Sequence, residues 1–157
     1  MNEVISLLKN QGTTRRNEFS SEMIRQEDID IIKSSIVKTA NASNRQSYSI
    51  IELDNDQANN LGLPGNKVLL FCIDFYRLHR CADLLGYEFD SNYIMQFTTA
   101  LIDISMLAQS AILAANSLGI GTLITNEVYH KKLEAIFDTL NIPSKYVFPM
   151  IALCLGY

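Results

Sequence analysis

Two glycines one residue apart, Gly119 and Gly121, mark the stretch of this 157-residue chain with the clearest chemical potential. They follow a long, almost uncharged segment, and the polar residues Thr125, Asn126 and Glu127 come shortly after them. Glycine lets a backbone approach a flat ligand closely, and polar neighbours can add hydrogen-bond donors. The same residues could instead form a helix C-cap, a turn and the N-cap of the next helix. Local sequence alone favours the C-cap and turn.

No residues show the spacing of a familiar catalytic motif. The sequence contains no Gly-x-Ser-x-Gly elbow, no Walker phosphate loop and no His-Glu-x-x-His. His79 and His130 are far apart and lack cysteine or carboxylate partners at ligand spacing, so no metal site is expected. Gly119 and Gly121 begin like a dinucleotide fingerprint, but they follow a helical segment, and Ile124 replaces the third glycine. An enzyme of this sequence would leave its chemistry to a bound cofactor.

The bulk composition is that of an ordinary globular protein. Hydrophobic residues make up 48% of the chain and charged residues 19%. One domain over residues 1–157 is expected, burying roughly 70% of its unfolded surface. The net charge of −4 and the lack of a basic patch argue against a nucleic-acid partner. Cys72, Cys81 and Cys154 form no Cys-x-x-Cys pair, which predicts buried, reduced thiols in a cytoplasmic protein.

Hydrophobic periodicity and breaker residues predict helices arranged around a small sheet. Helices are expected at 3–9, 24–38 and 128–140, the second capped by Ser20 or Ser21, and strands at 48–53, 68–73 and 147–155. The apolar run 68–73 is typical of a strand buried on both faces. The segment 54–66 is expected to be a loop or partly helical. This order predicts an α+β fold.

The segment 93–118 predicts the longest helix of the chain. Apolar residues recur every seven positions and make a stripe typical of a helix packed along a partner helix: Ile94, Phe97, Leu101, Ile104, Ala108, Ala111, Ala115 and Leu118. Ile102, Met106 and Leu113 lie off this stripe and predict burial on a second face. The segment is long enough to span a bilayer but too polar to face lipid, so no membrane is expected.

Covering both faces of this helix is a problem for a chain of this size. The helix would be about 40 Å long at about 1.5 Å per residue, and one domain can cover one side of it. We therefore expect a second subunit on the other side. A central helix enclosed in the core of a monomer is the alternative.

Several segments resemble the FMN-dependent nitroreductases. Residues 106–121, MLAQSAILAANSLGIG, look like the central helix and following loop of that family, and the resemblance continues through 140–143 and 149–157. Residues 71–77, FCIDFYR, are similar to a sheet strand of the oxygen-insensitive NADPH nitroreductase and flavin reductase branch. Residues 44–51, NRQSYSII, look like the loop and strand usually written Asn-x-Gln-Pro-Trp. The resemblance implies a nitroreductase-like fold with a small, mostly antiparallel sheet and a long central dimer helix.

The resemblance also implies an activity. Family members are homodimers with one FMN in each of two clefts between subunits. NAD(P)H passes a hydride to flavin N5, and a nitroaromatic, quinone or flavin acceptor then takes the electrons. We expect the same function here, with no catalytic side chain beyond the flavin. The alternative is a non-enzymatic dimer that keeps the scaffold, binds flavin weakly or not at all, and acts as an interaction or regulatory protein.

The family's cofactor-binding positions can be carried over residue by residue. The backbone N–H that points to N5 falls within Ile124, Thr125, Asn126 and Glu127, with Asn126 or Glu127 as the donor. The loop laid over the flavin from the partner matches Asn41, Ala42, Ser43 and Asn44, which would also suit an ordinary turn. Contacts to the pyrimidine edge fall near Asn59 and Asn60.

The phosphate-binding segment departs from the family's Arg-Ser-x-Arg pattern. The candidate residues are Thr13, Thr14, Arg15, Arg16 and Asn17. Aligning on Phe19 puts Thr14 and Asn17 at the arginine positions, whereas a shift of two matches residues 13–15 to Ser-x-Arg. Either arginine could bind phosphate, or both could be solvated surface residues.

Family members continue past the final Gly-Tyr with a proline and an arm that carries further basic residues. The present sequence ends at Tyr157, so the resemblance implies weaker FMN binding, by about 1.5–3 kcal/mol for each lost charge-assisted contact.

Overall fold

The computed structural model describes residues 2–130 and 133–157. Its elements in chain order are α1 Glu3–Lys9, α2 Gln26–Val37, β1 Tyr48–Leu53, α3 Asn55–Leu61, β2 Lys67–Asp74, α4 Tyr76–Leu85, α5 Ile94–Ser117, β3 Gly121–Thr125, α6 Leu133–Leu140 and β4 Val147–Gly156. Short 3-10 turns cover Ala42–Asn44 and Glu127–His130. The predicted α+β class is confirmed.

The four strands form one antiparallel sheet in the order β1-β2-β4-β3. In β2, Leu69, Phe71 and Ile73 point to a core shared with α2 and α5. The alternate residues Val68, Leu70 and Cys72 point to a second core on the opposite face, which includes residues of α3 and α6. Side chains alternate between the faces of a strand, so two cores require the continuous apolar run of β2.

The inner face of α5 packs against the sheet and α2. Ile104, Leu107, Ala108, Ala111 and Ala115 are all fully buried there. The predicted stripe is wrong at its start, because Ile94 is 77% exposed and Leu107, which lies off the stripe, is buried. A seven-residue repeat drifts by about 20° per heptad around a straight helix. Among the residues of the stripe the departure is confined to Ile94, because Phe97 and Leu101 still pack against this core.

The outer face of α5 is uncovered within one chain. Ile102 is 54% exposed and Met106 is 40% exposed, while Leu113 is partly buried. The described residues therefore do not enclose this face of α5, and the second subunit stays a prediction. By length and composition alone α5 could cross a bilayer, a test that core helices of soluble proteins also pass.

Three local predictions need correction. Neither Ser20 nor Ser21 caps α2, which begins at Gln26 after Arg25. The segment 54–66 is partly helical, as predicted: it contains α3, because Asp54 and Gln57 form a capping box at the start of that helix. Residues 121–125, expected to be a loop, form the edge strand β3. The predicted helix 128–140 is divided into a 3-10 turn and α6.

The three cysteines differ in exposure. Cys72 and Cys154 are buried as expected, but the prediction is wrong for Cys81, which is exposed on α4. Burial raises the pKa of the Cys72 and Cys154 thiols to about 12, so both stay protonated at neutral pH.

We expect a thiol-specific reagent to modify one cysteine, Cys81, in the native protein and all three in denaturant, because only the thiolate reacts. Peptide mapping after brief alkylation at pH 8 would test this. Native labelling of Cys154 at the rate of Cys81 would contradict the buried placement.

Candidate functional site

A cleft lies between the extended N-terminal segment, α5 and β3. Its volume is about 340 Å³, and its walls include Gln11, Thr13, Gln109, Thr122 and Ile124. The side-chain Nε2 of Gln11 is buried and has no hydrogen-bond partner among the residues that the structure describes. Buried donors are nearly always satisfied, so an orphaned amide at a cleft suits a ligand with a hydrogen-bond acceptor.

Both glycines near the cleft are required by the fold. Gly119 has φ of +74° and follows the C-cap of α5, and the Ile120 N–H donates to Ala115 O at 2.9 Å. This is the helix C-cap and turn that the local sequence favoured. A Cβ on Gly121 would collide with Thr14 Oγ1. Gly121 therefore lets the N-terminal segment run along β3, where the Thr14 N–H donates to Thr122 O at 2.9 Å.

In the segment 124–127, Ile124 lines the cleft and the next three residues lead away from it along the chain. Ile124 and Asn126 are exposed, and Thr125 Oγ1 accepts the Glu127 N–H at 3.1 Å. Thr125 therefore caps the 3-10 turn that follows, as one reading of the sequence proposed. Of the two backbone donors predicted to face a ligand, Glu127 is engaged by this bond. Asn126 becomes the better candidate.

Arg16 connects three parts of the chain. Its guanidinium donates to Gly62 O, at the C-cap of α3, at 2.8 Å and forms an ion pair with Glu127. Arg15 behaves differently, because its side chain is exposed and its backbone N–H donates to Glu18 Oε2 at 2.5 Å. The exposed Asn17 belongs to the same segment.

The predicted loop residues Asn41, Ala42, Ser43 and Asn44 lie away from this cleft in the same chain. The Ala42 N–H donates to Asp103 Oδ1 at 3.0 Å, in the first half of α5. The α5 residues that line the cleft are Gln109 and Ile112, six and nine residues later, which is about 9 and 14 Å along a helix. One chain therefore does not bring these two predicted groups together.

The 41–46 loop is held in an unusual conformation. Ser43, Asn44 and Gln46 have φ between +51° and +53°, a region that non-glycine residues avoid. Asn41 Oδ1 accepts the Gln46 N–H at 3.2 Å, and the Arg77 guanidinium donates to Gln46 O. Asp103, only 2% exposed, holds the other end of the loop through Ala42. The sequence analysis did not single out Asp103 as a functional residue. Its signal was a lone charge on an otherwise uncharged helix.

We expect Asp103→Ala to destabilise the protein by about 1–3 kcal/mol, because it leaves the Ala42 N–H without its acceptor. Amide exchange across residues 41–46 should also become faster. Asp103→Asn retains an oxygen acceptor, so it should lower the free energy of unfolding less and speed amide exchange in residues 41–46 less. Urea unfolding and hydrogen-exchange mass spectrometry measure the two effects.

Ser105→Ala is the matched control for Asp103, because Ser105 is an exposed residue on the same helix that bonds only to the carbonyl of Leu101. Equal losses in Asp103→Ala and Ser105→Ala would contradict the anchoring role of the carboxylate.

The exposed Asn59 and Asn60 lie on α3. Asn59 borders a separate cavity of about 260 Å³, together with Asn66 and Lys67. Neither asparagine lines the cleft beside β3 in the part of the chain that the structure describes.

Comparisons with known proteins agree with this architecture. A curated Cr(VI) reductase from Pseudomonas sp. (strain G-1) is 29% identical over 163 residues, covering 98% of this chain and 65% of the relative. The FMN reductase (NADPH) of Bacillus subtilis is 27% identical over 169 residues, covering 100% of this chain and 66% of the relative. The chain thus spans just under two-thirds of the length of these relatives.

Solved structures show the same fold. The hypothetical oxidoreductase YcnD from Bacillus subtilis superposes with a TM-score of 0.90 at 27% identity, covering 100% of this chain and 66% of that protein. This confirms the expected nitroreductase-like arrangement of a small antiparallel sheet and a long helix. The model of the nitroreductase family matches residues 70–157, more than half of the sequence. This chain therefore belongs to the nitroreductase family.

Proposed function

We propose that this protein is a homodimeric, FMN-dependent oxidoreductase that uses NAD(P)H to reduce nitroaromatic, quinone or flavin acceptors. The observation that carries the proposal is the cleft with an orphaned amide donor, Gln11 Nε2, next to an uncovered apolar helix face. The protein would act as a single domain in the cytoplasm, where its buried thiols stay reduced.

The residues around the cleft fit FMN. The Gln11 amide and the hydroxyls of Thr13 and Thr122 suit the carbonyls and nitrogens of an isoalloxazine ring, while Ile112 and Ile124 offer apolar surface. Arg15 is exposed at one end of this segment and suits the phosphate. Asn59 and Asn60 on α3 remain candidates for further polar contacts from the resemblance alone.

When bound, FMN supplies two-electron acceptance and donation, which no side chain of this protein can supply. The chain's own part is to position the ligand and exclude water from it. Asn126, two residues after Ile124, carries a backbone N–H that would donate to the ring, stabilising developing negative charge without a titrating group. Nicotinamide and acceptor would be held over the ring in turn, which favours transfer by proximity.

A second copy of the chain completes the site in this proposal. The outer face of α5 exposes Ile102 and Met106, and Ile124 at the cleft rim is 43% exposed. The strained loop 41–46 lies too far along α5 to reach the cleft of its own chain. Supplied by the partner, Asn41, Ala42, Ser43 and Asn44 would cover the ligand. In this proposal Asp103 holds the strained backbone of the 41–46 loop so that the loop is already in the conformation that covers the partner's ligand.

The non-enzymatic alternative has less support. The curated relatives are named as reductases, and the cleft retains one buried amide nitrogen, Gln11 Nε2, without a partner among the described residues.

Titration of purified protein with FMN, followed by quenching of flavin fluorescence, tests the proposal together with sedimentation velocity and NADPH oxidation in the presence of a quinone. We expect saturable FMN binding, a dimer and flavin-dependent turnover. A protein that binds no FMN at any concentration tested would reject the function.

Gln11→Leu separates ligand binding from folding. Removing an orphaned buried donor should leave the free energy of unfolding unchanged or raise it by up to about 1 kcal/mol. The same change should weaken FMN binding about 5-fold, because a contact to the ligand is lost. Ser34→Ala, at an exposed position of α2 where the hydroxyl donates to Ile31 O, is the control and should change neither quantity. Loss of stability in Gln11→Leu with unchanged FMN binding would contradict the assignment.

A further inference from the structure

A separate cavity lies at the start of α5, beside the 41–46 loop. Its volume is about 420 Å³, which is within the range of small-molecule sites. Arg45 lines it from the loop, and the first turns of α5 supply the other lining residues: Tyr93, Ile94, Met95, Gln96 and Thr99. Among the residues that the structure describes, none lines both this cavity and the cleft beside β3. The two are therefore distinct places on the chain.

Gln96 brings a buried hydrogen-bond acceptor to this cavity. Its side-chain Nε2 donates to Asp90 O at 2.7 Å, which fixes the orientation of the amide. The other amide atom, Oε1, is buried and accepts no hydrogen bond within the described ranges. Buried acceptors are nearly always satisfied, and leaving one unpaired costs free energy. An orphaned oxygen in a cavity wall suits a ligand that carries an O–H or N–H donor.

Arg45 brings a cation that the described part of the chain leaves unpaired. Its side chain is exposed and forms neither an ion pair nor a hydrogen bond with any described residue. Its backbone is nevertheless fixed, because the Arg45 N–H donates to Ala42 O at 3.0 Å and the neighbouring Gln46 N–H donates to Asn41 Oδ1. A fixed backbone lowers the ordering cost of binding, and a guanidinium matches the two oxygens of a carboxylate.

The first turn of α5 also favours an anion. Tyr93, at the N-cap, makes no side-chain capping bond, and the turn contains no acidic residue. The first backbone N–H groups of the helix therefore lack a side-chain acceptor, at the positive end of the helix dipole. The nearby carboxylate of Asp90 does not line the cavity, and its Oδ1 accepts the Asn92 N–H at 2.8 Å.

The remaining walls are apolar and exposed. Tyr93, Ile94 and Met95 are 63%, 77% and 77% exposed. An exposed tyrosine ring and a methionine thioether pack well against a flat aromatic ring. The cavity thus combines one cation, one orphaned acceptor and apolar surface.

We infer that this cavity binds a small aromatic carboxylate that also carries a hydroxyl or amino group. The carboxylate pairs with Arg45, the ring packs against Tyr93 and Met95, and the hydroxyl or amino group donates to Gln96 Oε1. The inference goes beyond the proposed function, because no residue of the cleft takes part and no flavin is needed.

Calorimetric titration of the full chain with para-hydroxybenzoate tests this inference. Two matched compounds each lack one feature: benzoate lacks the donor, and para-hydroxybenzamide lacks the charge. We expect saturable binding of para-hydroxybenzoate and at least about 5-fold weaker binding of each matched compound. Saturating FMN should change the dissociation constant of para-hydroxybenzoate less than about 2-fold, because the ligand and the flavin occupy different sites.

Two variants assign the features to residues. Arg45→Gln should weaken para-hydroxybenzoate about 5- to 10-fold and leave para-hydroxybenzamide unchanged. Gln96→Leu should weaken para-hydroxybenzoate about 5-fold and leave benzoate unchanged. Lys38→Gln is the charge-matched control, because Lys38 is exposed after the end of α2 and does not line the cavity. Thermal unfolding of each variant checks that the fold is retained, and Arg45→Gln removes no side-chain contact within the described chain.

The possible results separate this inference from the proposed function. No saturable binding of para-hydroxybenzoate up to about 10 mM, or equal affinity for all three compounds, overturns the inference. An equal loss in Lys38→Gln and Arg45→Gln also overturns it, because general electrostatics would then suffice. Displacement of para-hydroxybenzoate by FMN would place the ligand in the cleft and overturn the separate site. Absence of FMN binding overturns the proposed function and leaves this inference standing.

Discussion

Replacing Ile102 and Met106 with glutamate should convert the dimer that we propose into a monomer. Both side chains lie on the outer face of α5 and are exposed in the single chain, at 54% and 40%. An unpaired charge buried in an apolar interface costs about 3–5 kcal/mol, so the pair should weaken dimerisation by at least three orders of magnitude. Sedimentation velocity over a range of protein concentrations measures the change.

Val37→Glu is the matched control for this experiment. Val37 is 69% exposed at the end of α2, outside the proposed interface. Val37→Glu should therefore leave the dimer intact. FMN binding should fall together with dimerisation in the double variant, because the partner's 41–46 loop is lost from the cleft. A double variant that remains dimeric would place the interface elsewhere.

Gly65→Ala should destabilise the protein by about 2–4 kcal/mol. Gly65 has φ of +96°, and an added Cβ would lie 2.7 Å from the carbonyl oxygen of Leu155. That oxygen accepts the Asn66 N–H at 2.8 Å, so the opposing atom is backbone and cannot rotate away. Strain in the left-handed region and a steric clash with the backbone of β4 add in the same direction. Chemical denaturation gives the free energy of unfolding.

Alanine variants of two other glycines separate the two contributions to this loss of stability, the backbone strain and the steric clash. Gly86 has φ of +72° but open space around its Cβ direction, so Gly86→Ala should cost about 1 kcal/mol from backbone strain alone. Gly12 has neither a left-handed φ nor a neighbour within 4 Å, so Gly12→Ala should have almost no effect. If all three alanine variants were equally stable, the close approach at Leu155 would not restrict this turn.

Much of the fold could be predicted from hydrophobic patterns. The bounds of β1 were predicted correctly. At each end, β2 is one residue longer than predicted and α5 is one residue shorter. These elements bury whole faces, so their period appears directly in the sequence. The strand β3 was missed, because Gly121–Thr125 is short and follows a glycine turn that reads equally well as a loop.

The candidate site was predictable only in part. The segments 13–17 and 124–127 were identified from the resemblance, and the structure brings Thr13 beside Ile124 and Arg16 beside Glu127. Gln11 and Gln109 carried no signal, since a single glutamine has no motif or period of its own. The roles of the individual residues stay predictions.

The sequence by itself determined which segments become helix or strand and which of their faces are apolar, because burial repeats with the period of each element. Only the tertiary structure decided that Arg16 meets Gly62 and Glu127, and that Asp103 meets Ala42. These partners are 46, 111 and 61 positions apart. A local pattern cannot encode such separations, because the contacts exist only after the sheet and α5 have packed and brought distant backbone together.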